Sequence, residues 1–273
     1  MKILFCGDVV GKEGRNAISN HIRPLRAKLN LDCVIVNGEN SAGGFGLTKK
    51  ICDRFHDRGV DVITGGDHCF DQKEILDIID HYPTIVRPAN WSDKLPGKGT
   101  YIYETENNQK VMIMHLIGQV FMKVSSDYNP FIYADKILQE HKLHRDVDAI
   151  IVDFHAEATA EAMAMGHYLD GRVSLVTGSH THVPTSDIQI LPGGTAYQTD
   201  AGMCGDYDSV IGFNKKVSLE GFLNKIQSEK LTPAMSEATL CGIYVETKYG
   251  LATRVEPVRV GGRLSQHTPT PSD

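Results

Sequence analysis

Five short polar clusters hold the side chains of this sequence that could do chemistry. They are Gly7-Asp8, Asn37-Gly38-Glu39-Asn40, Gly66-Asp67-His68, Asp153-Phe154-His155 and Gly178-Ser179-His180-Thr181-His182. Each follows an apolar run, and each offers a carboxylate, an amide or an imidazole, donors that suit iron, manganese or zinc better than a thiolate-bound structural zinc. His180 and His182 are two apart, so in an extended segment both rings point the same way. Any one cluster is common in loops; their conjunction carries the reading. Asp8, Glu39, Asn40, Asp67, His68, His155, His180 and His182 are too many for one metal with three or four protein ligands. They suit two metals that share a bridging carboxylate.

These clusters need a scaffold that brings them together. Periodicity predicts strands at 2–6, 33–36, 61–64, 148–153 and 172–177, each just ahead of a cluster. Helices are predicted at 15–29, where Pro24 must be accommodated, at 48–58 with Thr48 as N-cap, and at 73–79, 132–141, 157–168 and 217–227. Short apolar strands between amphipathic helices imply a largely parallel sheet covered on both faces. In such sheets ligands bind beyond the carboxyl ends of the strands, so chain order would bring the five loops to one edge. Strands at 100–104 and 110–116 flank an Asn107-Asn108 turn. Strands at 187–191 and 195–199 flank Gly193-Gly194, and strands at 238–246 and 252–259 close the series. The strand-rich second half predicts a second, mixed sheet packed on the first. One domain over 1–260 and a disordered tail over 261–273 are expected.

Composition narrows the function. The 273 residues are 41% apolar and 23% charged, an ordinary soluble balance. Twenty-eight basic against 34 acidic residues give a net charge of −6 and no broad basic stripe, so stable nucleic-acid binding is not expected. An anionic substrate would then need local positive charge, which a metal supplies. No run approaches the ~18 apolar residues of a membrane span. The apolar stretch at residues 3–6 is too short for a secretory signal. Six cysteines without a CxxC pair read as reduced thiols in a cytoplasmic protein.

The series Gly-Asp, Glu-Asn, Gly-Asp-His, a lone His and Gly-x-His-x-His resembles the calcineurin-like metallophosphoesterases. The stretches GDVVGKEGR, VNGENSAGGFG, DFHAEATAE, GSHTHVPT and TDAGMCGDYDSVIG are similar to their bacterial YmdB-like branch, the 2′,3′-cyclic-nucleotide phosphodiesterases. The resemblance runs from residue 1 to about residue 260. It implies an α/β fold of two packed mixed β-sheets flanked by helices, a four-layer α/β/β/α sandwich. By motif it implies that Asp8, Asn40 and His182 hold one metal and Asp67, His155 and His180 the other, with Glu39 bridging and His68 as general acid. The superfamily usually has histidine two residues after the first aspartate; this sequence has Val10, as the branch does, and Asn40 is expected to supply the contact. Asp67 stands where the family normally has asparagine, which should tighten the second metal and soften its Lewis acidity.

The expected cofactors are two divalent ions per chain, iron or manganese first and zinc next. The expected reaction is in-line attack of a metal-bridging hydroxide on a cyclic nucleotide of the 2′,3′-cAMP type or a related small phosphodiester, with His68 protonating the leaving alkoxide. One alternative keeps the site for a phosphomonoester or a phosphoprotein. Another is a metal-stabilised regulatory protein with residual activity, against which an intact His68 weighs. The expected partner is a small-molecule phosphodiester, with no membrane, and a homo-oligomer stays open. Among the remaining features, Gly43-Gly44-Phe45-Gly46 could wrap a phosphate with backbone amides, and Lys12 and Arg15 could neutralise one. His115 reads as a satisfied core histidine, Asp200 as support for the metal histidines, and Cys69 has no acidifying context.

Overall fold

The apolar runs and amphipathic segments fold in the order β1 (Lys2–Cys6), β2 (Asp8–Val9), α1 (Gly11–Leu29), β3 (Cys33–Asn37), α2 (Lys49–Asp57), β4 (Val62–Thr64), α3 (Lys73–Ile78) and β5 (Ile85–Val86). The chain continues with β6 (Thr100–Glu104), β7 (Lys110–Ile117), α4 (Pro130–Glu140), β8 (Ala149–His155), α5 (Thr159–Leu169), β9 (Leu175–Ser179) and β10 (Gln189–Ile190). It ends with β11 (Ala196–Gln198), β12 (Met203–Cys204), α6 (Lys215–Asn224), β13 (Leu240–Lys248) and β14 (Leu251–Val260). The structure is a computed structural model that describes residues 1–123, 127–224 and 229–271.

Two six-stranded mixed sheets dominate, in the orders β14-β13-β1-β3-β4-β5 and β10-β11-β9-β8-β7-β6. In the first, β1, β3, β4 and β5 run parallel and the β13–β14 hairpin adds antiparallel to β1. In the second, β7, β8, β9 and β11 run parallel, with β6 and β10 antiparallel at the edges. The period-two alternation of strand side chains sorts the core into layers. Ile3, Phe5 and Ile35 meet Ile113, Ile151 and Leu175 between the sheets. Leu4, Val34 and Val36 face Ile18, Ile22 and Phe55 of the helices outside the first sheet. Met112, Ile150 and Val152 face Leu138, Met165 and Leu169 outside the second. The result is the expected helix–sheet–sheet–helix sandwich. Strands apolar on both faces are what such double coverage requires, and each buried aliphatic side chain contributes roughly 1.5–3 kcal/mol of transfer free energy.

Four details differ from the sequence reading. The β13–β14 hairpin extends the first sheet rather than the second, because Lys2–Cys6 pairs with Gly242–Glu246. Thr48 occupies the N-cap position of α2, but its side chain makes no capping hydrogen bond. The two-residue strands β2 and β12, which pair in parallel, and β5 are too short to leave a periodic signal. The tail expected to be disordered instead folds back over its described part. Arg259 and His267 exchange two backbone hydrogen bonds, and the His267 ring lies 2.9 Å from Glu256 Oε2. The predicted helix at 217–227 spans Lys215–Asn224, and residues 225–227 lie outside the described residues.

Candidate metal centre

Because β1, β3 and β4 are parallel in one sheet, and β8 and β9 in the other, their carboxyl ends lie at common edges. The two edges meet: Asn37 Nδ2 reaches Ser179 Oγ at 3.1 Å and Asp153 Oδ2 at 3.3 Å across the sandwich. Into this junction the five loops bring the eight side chains singled out above. Single ligand atoms of Glu39, Asp67, His155 and His180 all lie within 4.8 Å of one another, and those of Asp8, Glu39 and His182 form a second such group. Glu39 belongs to both. Asn40 Oδ1 lies 3.1 Å from His182 Nε2, beside the second group. His68 lies next to the first, its Nε2 3.8 Å from Asp67 Oδ1.

The backbone is shaped for this convergence. His180 (φ 106°) and His182 (φ 66°) both sit in the left-handed region that side-chain-bearing residues avoid. Strain of this kind persists where surrounding contacts hold it, and it clusters at functional sites. Asp200 supplies one such hold, accepting from the N–H and hydroxyl of Thr181 between the two histidines, at 2.9 and 2.8 Å. Gly66 has φ 53°, and a Cβ there would fall 1.6 Å from Glu39 Oε2. No larger residue admits the shared carboxylate so close to the backbone.

Each imidazole turns one nitrogen inward and gives the other to a partner. His155 Nδ1 meets Ser179 Oγ at 2.8 Å, and that hydroxyl donates to Asp153 Oδ1 at 2.6 Å. His180 Nε2 lies 3.1 Å from Glu157 Oε2, and His182 Nδ1 lies 2.7 Å from the Ile211 carbonyl. The inward nitrogens cluster: His155 Nε2 is 3.0 Å from His180 Nδ1 and 3.2 Å from both Glu39 Oε2 and Asp67 Oδ1. Metal-bound histidines are oriented in this way. Asp8 Oδ1 is buried with no hydrogen-bond partner among the described residues, an acceptor that a cation would satisfy. The donor set therefore fits divalent metal.

The electrostatics are those of a site built around positive charge. Burial and the nearby Asp200 hold the Asp8 carboxyl above the usual range, and burial does the same to Glu39. Burial also works against a charged His155, but Glu39, Asp67 and Asp8 outweigh it and push this imidazole up to about 10. Asp67 resists its own burial through the His155 hydrogen bond and charge, and ends below the ordinary carboxylate range. His180 drops to about 3 and His182 to about 4, chiefly through burial. Carboxyls held up and imidazoles held down by burial mark a site short of positive charge, which bound cations would supply as they displace protons.

A cavity of about 1010 Å³ opens over this cluster, lined by Glu39, Asn40, Asp67, His68, His180 and His182, with Asp8 and His155 fully buried beneath. Other residues take roles that depend on contacts. His68 Nδ1 lies 2.8 Å from Asp71 Oδ2, a pairing whose only sequence signal is the spacing of three residues. His115 is a satisfied core histidine, and its Nε2 accepts the Gly66 N–H at 2.9 Å, bracing the loop that bears Asp67. The amides of residues 43–46 do not wrap an anion. They are spent on the carbonyls of Ser41, Asn40, Ala42 and Glu39. Arg15 donates to the Ser41 carbonyl and steadies the same loop, and Lys12 is exposed. All six cysteines are buried and unpaired, and burial pushes the Cys69 thiol far up.

The YmdB-like protein family matches residues 4–258, nearly the whole chain. The chain belongs to that family. It is 42% identical over 246 residues to the 2′,3′-cyclic-nucleotide 2′-phosphodiesterase of Bacillus subtilis (strain 168), covering 90% of this chain and 91% of that protein. The crystal structure of a novel phosphatase from Mycoplasma pneumoniae superposes with a TM-score of 0.88 at 36% identity, over 96% of this chain and 93% of that one. A Candida albicans 5′-nucleotidase shares the fold with a TM-score of 0.57 at 14% identity, covering 94% of this chain and 50% of the nucleotidase. The fold of the YmdB-like chain described here is thus that of the calcineurin-like metallophosphoesterases. No helix among the described residues is long and apolar enough to cross a membrane.

Proposed function

We propose that this chain is a dinuclear metal-dependent phosphodiesterase acting on cyclic nucleotides or related small phosphodiesters. The observation that carries the reading is the pair of donor groups sharing Glu39, with His68 beside them at the floor of a cavity. The name of the Bacillus subtilis relative supports the substrate class. In this reading Asp8, Asn40 and His182 hold one ion, Asp67, His155 and His180 hold the other, and Glu39 serves both. Oxygen and imidazole donors without sulfur favour iron or manganese, with zinc next. Bound there, two divalent ions supply Lewis acidity toward the phosphoryl oxygens and lower the pKa of water. The three carboxylates Asp8, Glu39 and Asp67 set three negative charges against four positive ones, leaving a net positive charge to draw a phosphodiester anion into an acidic protein.

His68 handles the proton. With Asp71 accepting from Nδ1–H, the imidazolium form of His68 carries a second proton on Nε2, the one that can be donated into the cavity. A 2′- or 3′-alkoxide leaves poorly without a proton, and a placed general acid contributes about 10²–10⁴-fold. We read the folded chain as one domain. Its six unpaired buried thiols support a reducing compartment, the cytoplasm.

The test is turnover of 2′,3′-cyclic AMP, a linear phosphodiester and a phosphomonoester, before and after chelation, with iron, manganese and zinc added back. Diester hydrolysis that is lost on chelation and restored by metal is expected. Hydrolysis of the monoester alone would favour a phosphatase. Failure of the metal-loaded protein on all three would contradict the reading.

A further inference from the structure

The cavity over the metal centre has one wall of unusual make-up. Phe45 and Phe213 lie against each other there, ring centroids 5.5 Å apart and planes 26° from parallel. Phe213 is buried, whereas Phe45 is half-buried and borders the cavity. The Phe45 ring also meets His68 edge-on, at 5.0 Å and 74°. Both halves of the pair hang from the loops that hold the centre. Phe45 lies on the Glu39–Gly46 loop, tied by the Asn40 Nδ2 bond to the Gly44 carbonyl at 3.1 Å and by Gln72 Nε2 to the Phe45 carbonyl at 2.7 Å. Phe213 lies two residues after Ile211, whose carbonyl meets His182 Nδ1. Gly44, with φ +103°, lets the two loops close, since a Cβ there would stand 2.8 Å from Phe213 Cε1.

The two phenyl rings of this wall carry no group that could donate a proton or hold a metal. The wall is apolar, its ring orientation is set, and its distance from the phosphate site is fixed by the loop that also carries Glu39 and Asn40. A planar ring attached a few bonds from a phosphodiester would meet it, and aromatic surfaces favour such a ring through stacking as well as area. We propose that Phe45, backed by Phe213, forms a base-binding subsite, so that the substrate is a phosphodiester bearing a nucleobase rather than a bare sugar or alkyl phosphodiester. The inference rests on the phosphodiesterase reading above and adds the part of the substrate that the metals do not touch.

The test pairs two substrates with the same reacting centre: adenosine 2′,3′-cyclic phosphate and methyl ribofuranoside 2,3-cyclic phosphate, which lacks the base. Wild type and Phe45→Ala are compared on both, with Phe45→Leu as a variant that keeps apolar bulk. For Phe45→Ala a loss of about five- to 150-fold in kcat/KM is expected on the nucleotide, the range that base–aromatic stacking covers. It should appear in KM, with the base-free substrate nearly unchanged. Phe45→Leu should recover part of the loss. Equal losses on both substrates, or losses confined to kcat, would mean that Phe45 acts only by steadying His68, and would overturn the proposal. So would a wild type that shows no preference for the base. If metal-loaded protein hydrolyses neither compound, the parent reading fails and the subsite is judged by calorimetry alone. Tighter binding of AMP than of ribose 5-phosphate, abolished in Phe45→Ala, supports it; equal binding overturns it.

Discussion

Beneath His155 the chain buries Asp153, Ser179, Asn37 and Thr64 in one hydrogen-bonded set, whereas above it the cavity wall is apolar and partly open, with Phe45 half-buried and Phe121 and Ile211 exposed. The lower set sits on strand ends inside the sandwich, where an unpaired polar atom is costly and every partner is therefore specified. The upper wall sits on loops, where side chains can vary without disturbing the sheets. The difference separates two jobs: the floor fixes where the donors point, and the wall decides which molecule lies over them. Changes to the floor should alter metal binding and rate for every substrate, and changes to the wall should alter selectivity.

The largest effect is expected at His68, which lines the cavity between the two and belongs to neither donor group. Replacing His68 by alanine should cost about 10²–10⁴-fold on substrates with alkoxide leaving groups. Bis-p-nitrophenyl phosphate should be hit much less, because nitrophenolate leaves without a proton. Both metals should remain. Loss of metal, or equal loss on both substrates, would make His68 a ligand instead.

A smaller effect is expected one layer down. Ser179→Ala removes the hydroxyl that links His155 Nδ1 to Asp153, and such outer partners typically cost 10–100-fold in metal affinity or activity. Titration of the metal-free protein with manganese would measure it. Unchanged affinity would mean that the buried set serves packing alone.

Smaller again is the change expected from Asp67→Asn, which keeps the shape of the side chain and removes one charge. Affinity for one of the two ions should fall, since carboxylate oxygen holds hard cations better than amide oxygen. With one negative charge fewer, the loaded cations should acidify water more strongly, so the acid limb of the pH–rate profile should move to lower pH. Metal dependence and pH profiles of both proteins, measured together, check this. No movement in either would place Asp67 outside the ligand set.

The donors were largely legible in the sequence; the hydrogen-bonded set beneath them and the wall above them were not. Asp8, Glu39, Asp67, His155 and His182 each follow an apolar run that had to be a strand, so parallel topology alone carries them to one edge. The layers were legible for the same reason, because β3 and β8 are apolar up to the polar residues Asn37 and Asp153 near their carboxyl ends. The hidden features depend on contacts between distant segments. Asn37 meets Ser179 across 142 positions, and nothing near Phe45 in the chain announces Phe213. The β13–β14 hairpin joins the first sheet through β1, a choice its own pattern does not carry, since that pattern says only that it is a hairpin. The Gly43–Gly46 run is the opposite case: glycines whose composition suits an anion cradle spend their amides closing the loop on itself.

The central claim is that two donor groups share Glu39 and hold two ions. Elemental analysis of protein purified without chelator, then reloaded with iron or manganese, tests it most directly. Two ions per chain are expected for the wild type, falling to one or fewer in Glu39→Ala with the fold retained by circular dichroism. A wild-type value that stays at or below one after reloading would contradict the account.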